Sequence, residues 1–363
     1  MTDPIRVGVV GANPATSWAA AAHIPALASL DEFTVTAVAT TRKATAEDAA
    51  AAFGAAHAFT DAAELAACSD VDLVVVSVRS SAHAPAVRAA LSAGKHLLCE
   101  WPLGASVSET AELSEAAETA GVVNAVGLQG YHSPSVSYIR DLIADGSIGR
   151  VQSAAAVVPG DPLGGSRIPE SLAWTTDPRL GTSLLTIMGG HTLGVLDHMA
   201  GGITEVSAVV ANLNPEVIVT GTGERIANDT PGQIALAGRL ASGGVISVTV
   251  QGGPSTAGAD GFFVRIAGTD GALIITPKHP GEYLNWTALD VTLTRPDGTR
   301  ESLPAPGTGG PVTNVAALYR EVGRAIAEGR PAHPDFATAL RLHRVLAAME
   351  RASLTGAREE ILS

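Results

Sequence analysis

A chain of 363 residues is long enough for two domains with cores of their own, and 46% apolar against 16% charged residues argues for a compact fold and against disorder. The net charge of −13 argues against a nucleic-acid surface, because neutralising phosphates takes clustered Lys and Arg and no such run occurs. Two cysteines, Cys68 and Cys99, are too few for a disulfide framework and read as too isolated for a metal site; the histidines show no metal-ligand spacing.

From the N-terminus, apolar runs of strand length occur at Ile5–Val10, Phe33–Ala39, Leu73–Val78, His96–Cys99 and Val122–Gly127. Helical patterns lie between them near 17–29, 44–53, 82–93 and 106–120. This alternation predicts a doubly wound, parallel α/β sheet with right-handed crossovers, its strands buried on both faces. A helix is expected after Pro134, ending at Gly146 or Gly149. The rhythm then changes to strands near 151–158, 204–213, 232–240, 244–252, 262–268, 271–276 and 289–294, with a helix at about 184–200. GRLASGGVISV and RIAGTDGALII read as antiparallel hairpins turning on Gly and Asp. Helices near 313–329 and 335–354 close the chain. The expected division is a dinucleotide-binding domain over 1–130 and an α+β domain with an open, mostly antiparallel sheet over 131–363, the last helices packing back on the first domain. The N-terminus lacks a basic stretch followed by an apolar one, and no apolar run reaches the roughly 20 residues that span a bilayer. A cytoplasmic protein without membrane contact is therefore expected.

The first strand runs into a turn, Gly11-Ala12-Asn13-Pro14-Ala15-Thr16-Ser17-Trp18, and then a helix. A pyrophosphate needs a tight turn that brings backbone N–H groups and a helix N-terminus against it. Gly11 can make that turn; Asn13 stands where a second glycine is usual and tolerates left-handed geometry. Thr16 and Ser17 are helix caps that could add hydroxyls to the phosphates. The second strand ends Thr40-Thr41-Arg42-Lys43, without the acid that an NAD site places on the ribose 2′-hydroxyl. Arg42, helped by Thr41 and Lys43, suits a 2′-phosphate, so NADP is expected over NAD; the alternative is an ordinary solvated basic turn.

Several ordered motifs, GVVGAN at 8–13, AHIPAL at 22–27, DLVVVSV with His83, GKHLLCEWPLG at 94–104, DGSIGRV at 145–151, WTTDP at 174–178 and GGHTLGVLDHM at 189–199, resemble the Gfo/Idh/MocA oxidoreductases. The resemblance implies a Rossmann domain, a second domain with an open sheet, hydride transfer with a nicotinamide cofactor, sugar-like hydroxylated or carbonyl substrates, and a dimer or tetramer. Arg79, His83, Glu100, Trp101 and Gln129, near the ends of strands four to six, then join the cofactor set, with Trp18 and Trp101 flanking the nicotinamide. Trp101 stands where the family's catalytic lysine is usual, and Ile187 and Gly194 replace two aspartates around the family's histidine position, His191. Asp197 lies six residues on, about 600° of helix rotation, and so points to another face. Arg79 replaces a proline that commonly follows the fourth strand.

His191 is the leading proton-transfer candidate, its alternative being a histidine bonded to backbone at a helix start. Tyr131 or His132, past the sixth strand, could also give a proton, or Tyr131 could merely wall the pocket. Trp101, His132, Arg167 and Trp174 are candidates for the substrate side, with a surface loop as the alternative for the last two. Trp18 with AHIPAL, Glu100-Trp101, GLQGYHSP at 127–134 and GHTLGVLDHM at 190–199 further resemble the branch of the family that includes a fungal galactose-pathway repressor. The expectation is therefore an NADP(H)-dependent oxidoreductase, with a dinucleotide-binding regulator or sensor as the alternative.

Overall fold

The computed structural model describes residues 3–253, 261–279 and 282–361. They divide into two units, one of Met1–Gln129 with Pro311–Leu340, the other of Gly130–Gly310 with Arg341–Ser363.

In the first unit, Leu73–Val76 is buried at every residue, as a strand must be when both faces of its sheet are covered. The six strands are β1 (Ile5–Val10), β2 (Phe33–Ala39), β3 (His57–Phe59), β4 (Leu73–Val76), β5 (His96–Glu100) and β6 (Asn124–Gly127). All are parallel, in the order β3-β2-β1-β4-β5-β6. This is the doubly wound order that reverses between β1 and β4, where such sheets open a crevice at their carboxyl ends. A π-helical turn over Ala19–His23 leads into α1 (Ile24–Ala28), and α2 (Lys43–Phe53), α3 (Ala62–Ala67), α4 (His83–Ser92) and α5 (Val107–Ala120) follow.

Local chemistry fixes several ends. The Ser106 hydroxyl accepts from Glu109 N while Glu109 Oε2 accepts from Ala105 N, so both caps sit on the first turn of α5, and Gly121 ends it at φ 63°. Asp61 accepts from Ala63 N and Glu64 N at the start of α3. Neither β3 nor α3 is expected from periodicity, because three and six residues are too short to show one.

The second unit begins with α6 (Pro134–Ala144) and β7 (Val151–Pro159), then β8 (Arg167–Pro169). A second π-helical turn, Leu185–Gly189, runs into α7 (Gly190–Ala200). There follow β9 (Ile203–Ala211), β10 (Glu216–Thr220), β11 (Arg225–Ala227), β12 (Gln233–Leu240), β13 (Val245–Gln251), β14 (Phe263–Gly268), β15 (Ala272–Pro277), β16 (Leu289–Thr294) and β17 (Arg300–Leu303). After the helices α8 (Pro311–Glu328) and α9 (Phe336–Thr355), β18 (Glu359–Glu360) completes a nine-stranded sheet in the order β17-β16-β15-β14-β7-β13-β12-β9-β18. Its described pairs are antiparallel except β13 with β7. The two expected hairpins are β12–β13 and β14–β15. Alternate residues are buried along β12 and β13, so one face of this sheet is covered, while Val157, Val209, Val245 and Phe263 are exposed. The small sheet β11-β10-β8 was not anticipated.

Helix α8 and the start of α9 belong to the first unit, where Val315, Leu318, Tyr319 and Val322 share one core with Val7, Val9, Leu27 and Phe33. The rest of α9 belongs to the second unit and buries His343. Burial pushes that imidazole down to about 4. Its unfolded value is about 6.5, so unfolded chains bind more protons between those two values. Stability is unaffected by this group above pH ~6.5 and falls as pH drops to ~4, by on the order of 3 kcal/mol. His343→Leu is expected to flatten that acid limb in melts taken from pH 7.5 to 4.5; a limb unchanged from the parent protein would refute the assignment.

Candidate functional site

The turn after β1 is built as a phosphate-binding turn requires. Gly11 adopts φ 96°, and a Cβ there would lie 2.3 Å from the Ser77 carbonyl oxygen, so the position needs glycine twice over. Its N–H donates to Ala39 O at 2.9 Å. Asn13 fits differently from the sequence expectation. No non-glycine residue among those described has positive φ; instead Asn13 Oδ1 accepts from Ala15 N at 2.9 Å, an Asx turn that replaces the usual glycine geometry. Ser17 does cap the following helix, accepting from Ala20 N at 3.1 Å. Its own proton, however, goes to Asn13 O at 2.6 Å, so this hydroxyl serves the turn itself. Thr16 stands exposed at the tip and Trp18 is half-buried.

At the end of β2, Thr41, Arg42 and Lys43 are all exposed, and no carboxylate stands within 40–43. Lys43 pairs with Glu47 at 3.8 Å, with both side chains largely in water.

Two other strand ends carry buried polar groups. Ser77, just past β4, and Gln129, just past β6, are both buried. Ser77 Oγ and Gln129 Oε1 find no hydrogen-bond partner among the described residues. Buried oxygens without partners are rare, and a polar ligand or an ordered water satisfies such atoms. Together with the Gly11 cradle they fit a dinucleotide. Ser77 escaped sequence reading because a serine after an apolar strand carries no signal of its own.

Glu100 ends β5 beneath a buried relay. Its Oε1 accepts from His23 Nε2 at 2.9 Å, and His23 Nδ1 lies 2.7 Å from Tyr319 Oη. A carboxylate can only accept, so Nε2 carries the hydrogen, and Tyr319 donates to Nδ1. Burial holds the Tyr319 phenol well above its ordinary value, keeping it protonated for that role. Gly127 makes room: a Cβ there would sit 2.5 Å from Glu100 Oε1. The partners are 77 and 296 residues apart in sequence, which is why only Glu100 was expected.

His83 is almost fully buried, with Nδ1 3.0 Å from Pro102 O and Nε2 3.0 Å from Val78 O. Burial pushes the imidazole down, and the neutral ring, with a single N–H, donates to one of these two carbonyls. His83 bolts the β4 end to the loop carrying Trp101, itself 4% exposed, in place of the direct cofactor contact expected for it. Arg79 is exposed.

In the second unit, His191 occupies the first turn of α7 and is buried. Asp197 is committed elsewhere: both its oxygens receive Arg341, through Nη1 at 2.7 Å and through Nη2, and Oδ1 also accepts from Ile203 N at 3.1 Å. The Tyr131 phenol is a further partner of Arg341, and its ring lies on His198 at 4.4 Å between centroids. Arg140 donates to His198 Nε2 at 3.2 Å. Gly130 packs against Val195 and Asn285, and the segment Tyr283-Leu284-Asn285 lines a small cavity with Met188 and Thr192. That segment carried no sequence signal. His132 is half-buried, Arg167 opens β8 in solvent, and Trp174 donates from Nε1 to Ser171 O at 3.0 Å.

None of the three lysines takes the place of the missing one. Lys95 Nζ donates to Cys68 O and Val71 O, and Lys43 and Lys278 are exposed. Cys68, read from the sequence as isolated, stands beside His57 and Asp70.

Residues 5–128 match the model of the oxidoreductase family with NAD-binding Rossmann fold, and residues 134–277 match that of the Gal80p C-terminal domain. The chain thus joins a domain of the Rossmann-fold oxidoreductase family to one of the Gal80p C-terminal type. Among curated relatives, the galactose/lactose metabolism regulatory protein GAL80 of Saccharomyces cerevisiae is 29% identical over 74% of this chain and 66% of its own length. The dTDP-3,4-didehydro-2,6-dideoxy-alpha-D-glucose 3-reductase of Streptomyces violaceoruber is 29% identical over 88% of this chain and 86% of its own. The crystal structure of a super-repressor mutant of Gal80p from S. cerevisiae shares the fold, with a TM-score of 0.89 at 24% identity over 99% of this chain and 98% of that one. The chain thus has a regulator and a sugar-nucleotide reductase as similar proteins. Among the described residues, no helix is long and apolar enough to cross a membrane.

Proposed function

We propose that the chain is an NADP(H)-dependent oxidoreductase acting on a small hydroxylated or carbonyl compound of sugar-like character. The observation that carries cofactor binding is the Gly11 cradle against Ser77, together with the buried Ser77 Oγ and Gln129 Oε1, which have no partner among the described residues. When bound, a nicotinamide cofactor supplies or accepts hydride. The backbone of the 11–17 turn would face its pyrophosphate, and the hydroxyl of Thr16 is free to join. Arg42, with Thr41 and Lys43, would hold a 2′-phosphate, which the acid-free strand end admits. Glu100, its carboxylate oriented by His23, would hold the nicotinamide-side ribose, and Trp18 and Trp101 would bound the ring. His191 is assigned the substrate proton; Tyr131, its phenol already on Arg341, is assigned to the wall of the substrate region with His132, Arg167 and Trp174. The exposed apolar positions on the nine-stranded sheet support a homodimer or tetramer as the working assembly.

Two observations favour a second reading, a dinucleotide-dependent regulator without turnover: Trp101 fills the lysine position, and the Gal80p C-terminal model matches residues 134–277.

Titration of cofactor fluorescence and a panel of sugars and carbonyls followed at 340 nm separate the two. NADPH binding with turnover that His191→Asn abolishes supports the enzyme; tight binding with no turnover across the panel supports the regulator. Arg42→Ala is expected to weaken NADPH about 10- to 100-fold, the worth of a charge-assisted bond, with little effect on NADH. Equal losses for both would overturn the NADP assignment.

A further inference from the structure

On the amino-terminal side of the first unit's sheet, opposite the edge that carries Gly11 and Glu100, three side chains meet that the proposed function leaves unused. His57 opens β3, Cys68 caps the end of α3, and Asp70 lies in the link to β4. One ligand atom from each lies within 4.8 Å of the others, and His57 Nε2 is 2.9 Å from Asp70 Oδ2. We propose that His57 Nε2, Cys68 Sγ and Asp70 Oδ2 form a binding site for a divalent cation of the zinc class.

The donors are borderline to soft, a set that suits zinc or cobalt and not magnesium or calcium. The surroundings hold each donor in place. Thr36 Oγ1 donates to Asp70 O at 2.6 Å, and Lys95 Nζ donates to Cys68 O at 3.2 Å and to Val71 O at 2.7 Å, so the Cys68–Asp70 backbone is tied on both sides. Arg6 Nη1 donates to Asp70 Oδ1 at 3.3 Å, which leaves Oδ2 to the site, and this guanidinium is itself steadied by Asp72. The His57 ring lies over Phe59 at 6.1 Å and 23°, which sets its orientation. Such outer contacts orient metal ligands.

Binding would replace the His57–Asp70 hydrogen bond with two metal bonds. The imidazole proton moves to Nδ1, and Cys68 loses its thiol proton to solvent as sulfur forms the third bond. One proton is released and nothing is oxidised or reduced. A thiolate and a carboxylate then balance the dication, with water completing the tetrahedron.

The test uses untagged full-length protein and metal alone. The chain has only two cysteines, and Cys99 is fully buried within β5, so any thiolate-to-cobalt absorption reports Cys68. One equivalent of Co²⁺ is expected to give that near-ultraviolet band, and Zn²⁺ to abolish it by displacement. Cys68→Ser is expected to remove the band, and both it and His57→Gln to weaken Zn²⁺ at least ~10-fold against a chromogenic chelator, with circular dichroism unchanged. No band in the parent protein, or Zn²⁺ affinity unaltered in both variants, would overturn the site. These readouts do not involve cofactor or substrate, so they stand apart from the proposed activity.

Discussion

Gly11→Ala is expected to weaken NAD(P)H binding by at least about 100-fold, the equivalent of roughly 3 kcal/mol. Two separate penalties combine at this position. An alanine at φ 96° leaves the regions open to an L-residue, at a cost of about 1–3 kcal/mol. Its methyl would also lie 2.3 Å from Ser77 O and 2.8 Å from the carbonyl carbon, where backbone and not a flexible side chain must give way. The turn is hydrogen-bonded to β2 through Ala39 and abuts the residue after β4, so the strain has no soft direction of release and opens the turn. Fluorescence titration with NADPH measures the loss directly. Binding within about threefold of the parent protein, at unchanged melting temperature, would show that the turn tolerates a side chain and is not the phosphate site.

The largest expected stability effect lies in the second unit, at Asp197→Asn. This carboxylate is 6% exposed, takes both arms of Arg341 and the backbone of Ile203, and ties α9 and the start of β9 to α7. Removing its charge leaves a guanidinium beside the Tyr131 phenol without its counter-ion. Breaking such a pair costs about 3–5 kcal/mol, and the lower end applies because Arg341 keeps some contact with water. The double variant Asp197→Asn with Arg341→Met is expected to recover part of the loss, since no charge is then stranded. Thermal melts of the four proteins make the cycle; a double variant that loses the simple sum of the two singles would mean that the pair contributes no coupling.

The longer elements were legible wherever burial imposed a period. Continuous apolar runs gave β1, β2 and β4, and alternation gave β12 to β15, because each pattern follows directly from how many faces are covered. Short pieces such as β3, β8 and β11 hold their shape through neighbours, and three residues carry no period. The two π-helical turns were also hidden, since one wide turn shifts the helical phase without altering composition. Around the candidate site, the backbone demand at Gly11 could be read along the chain. His23, Ser77 and Tyr319 could not, because their roles come from partners that only folding brings near.

The bond between His23 and Tyr319 has a bearing on how the protein is made. Residues 1–129 contain all six strands of the first sheet, yet the core beneath β1 is closed by Val315, Leu318, Tyr319 and Val322. A ribosome will have synthesised most of the chain before that core can shut. Until then Val9, Leu27 and Phe33 lack their cover, and the nascent segment is a natural client for chaperones that hold apolar surface. Cutting the gene after residue 129 would preserve every strand of the nucleotide sheet and still yield a protein that cannot bury itself.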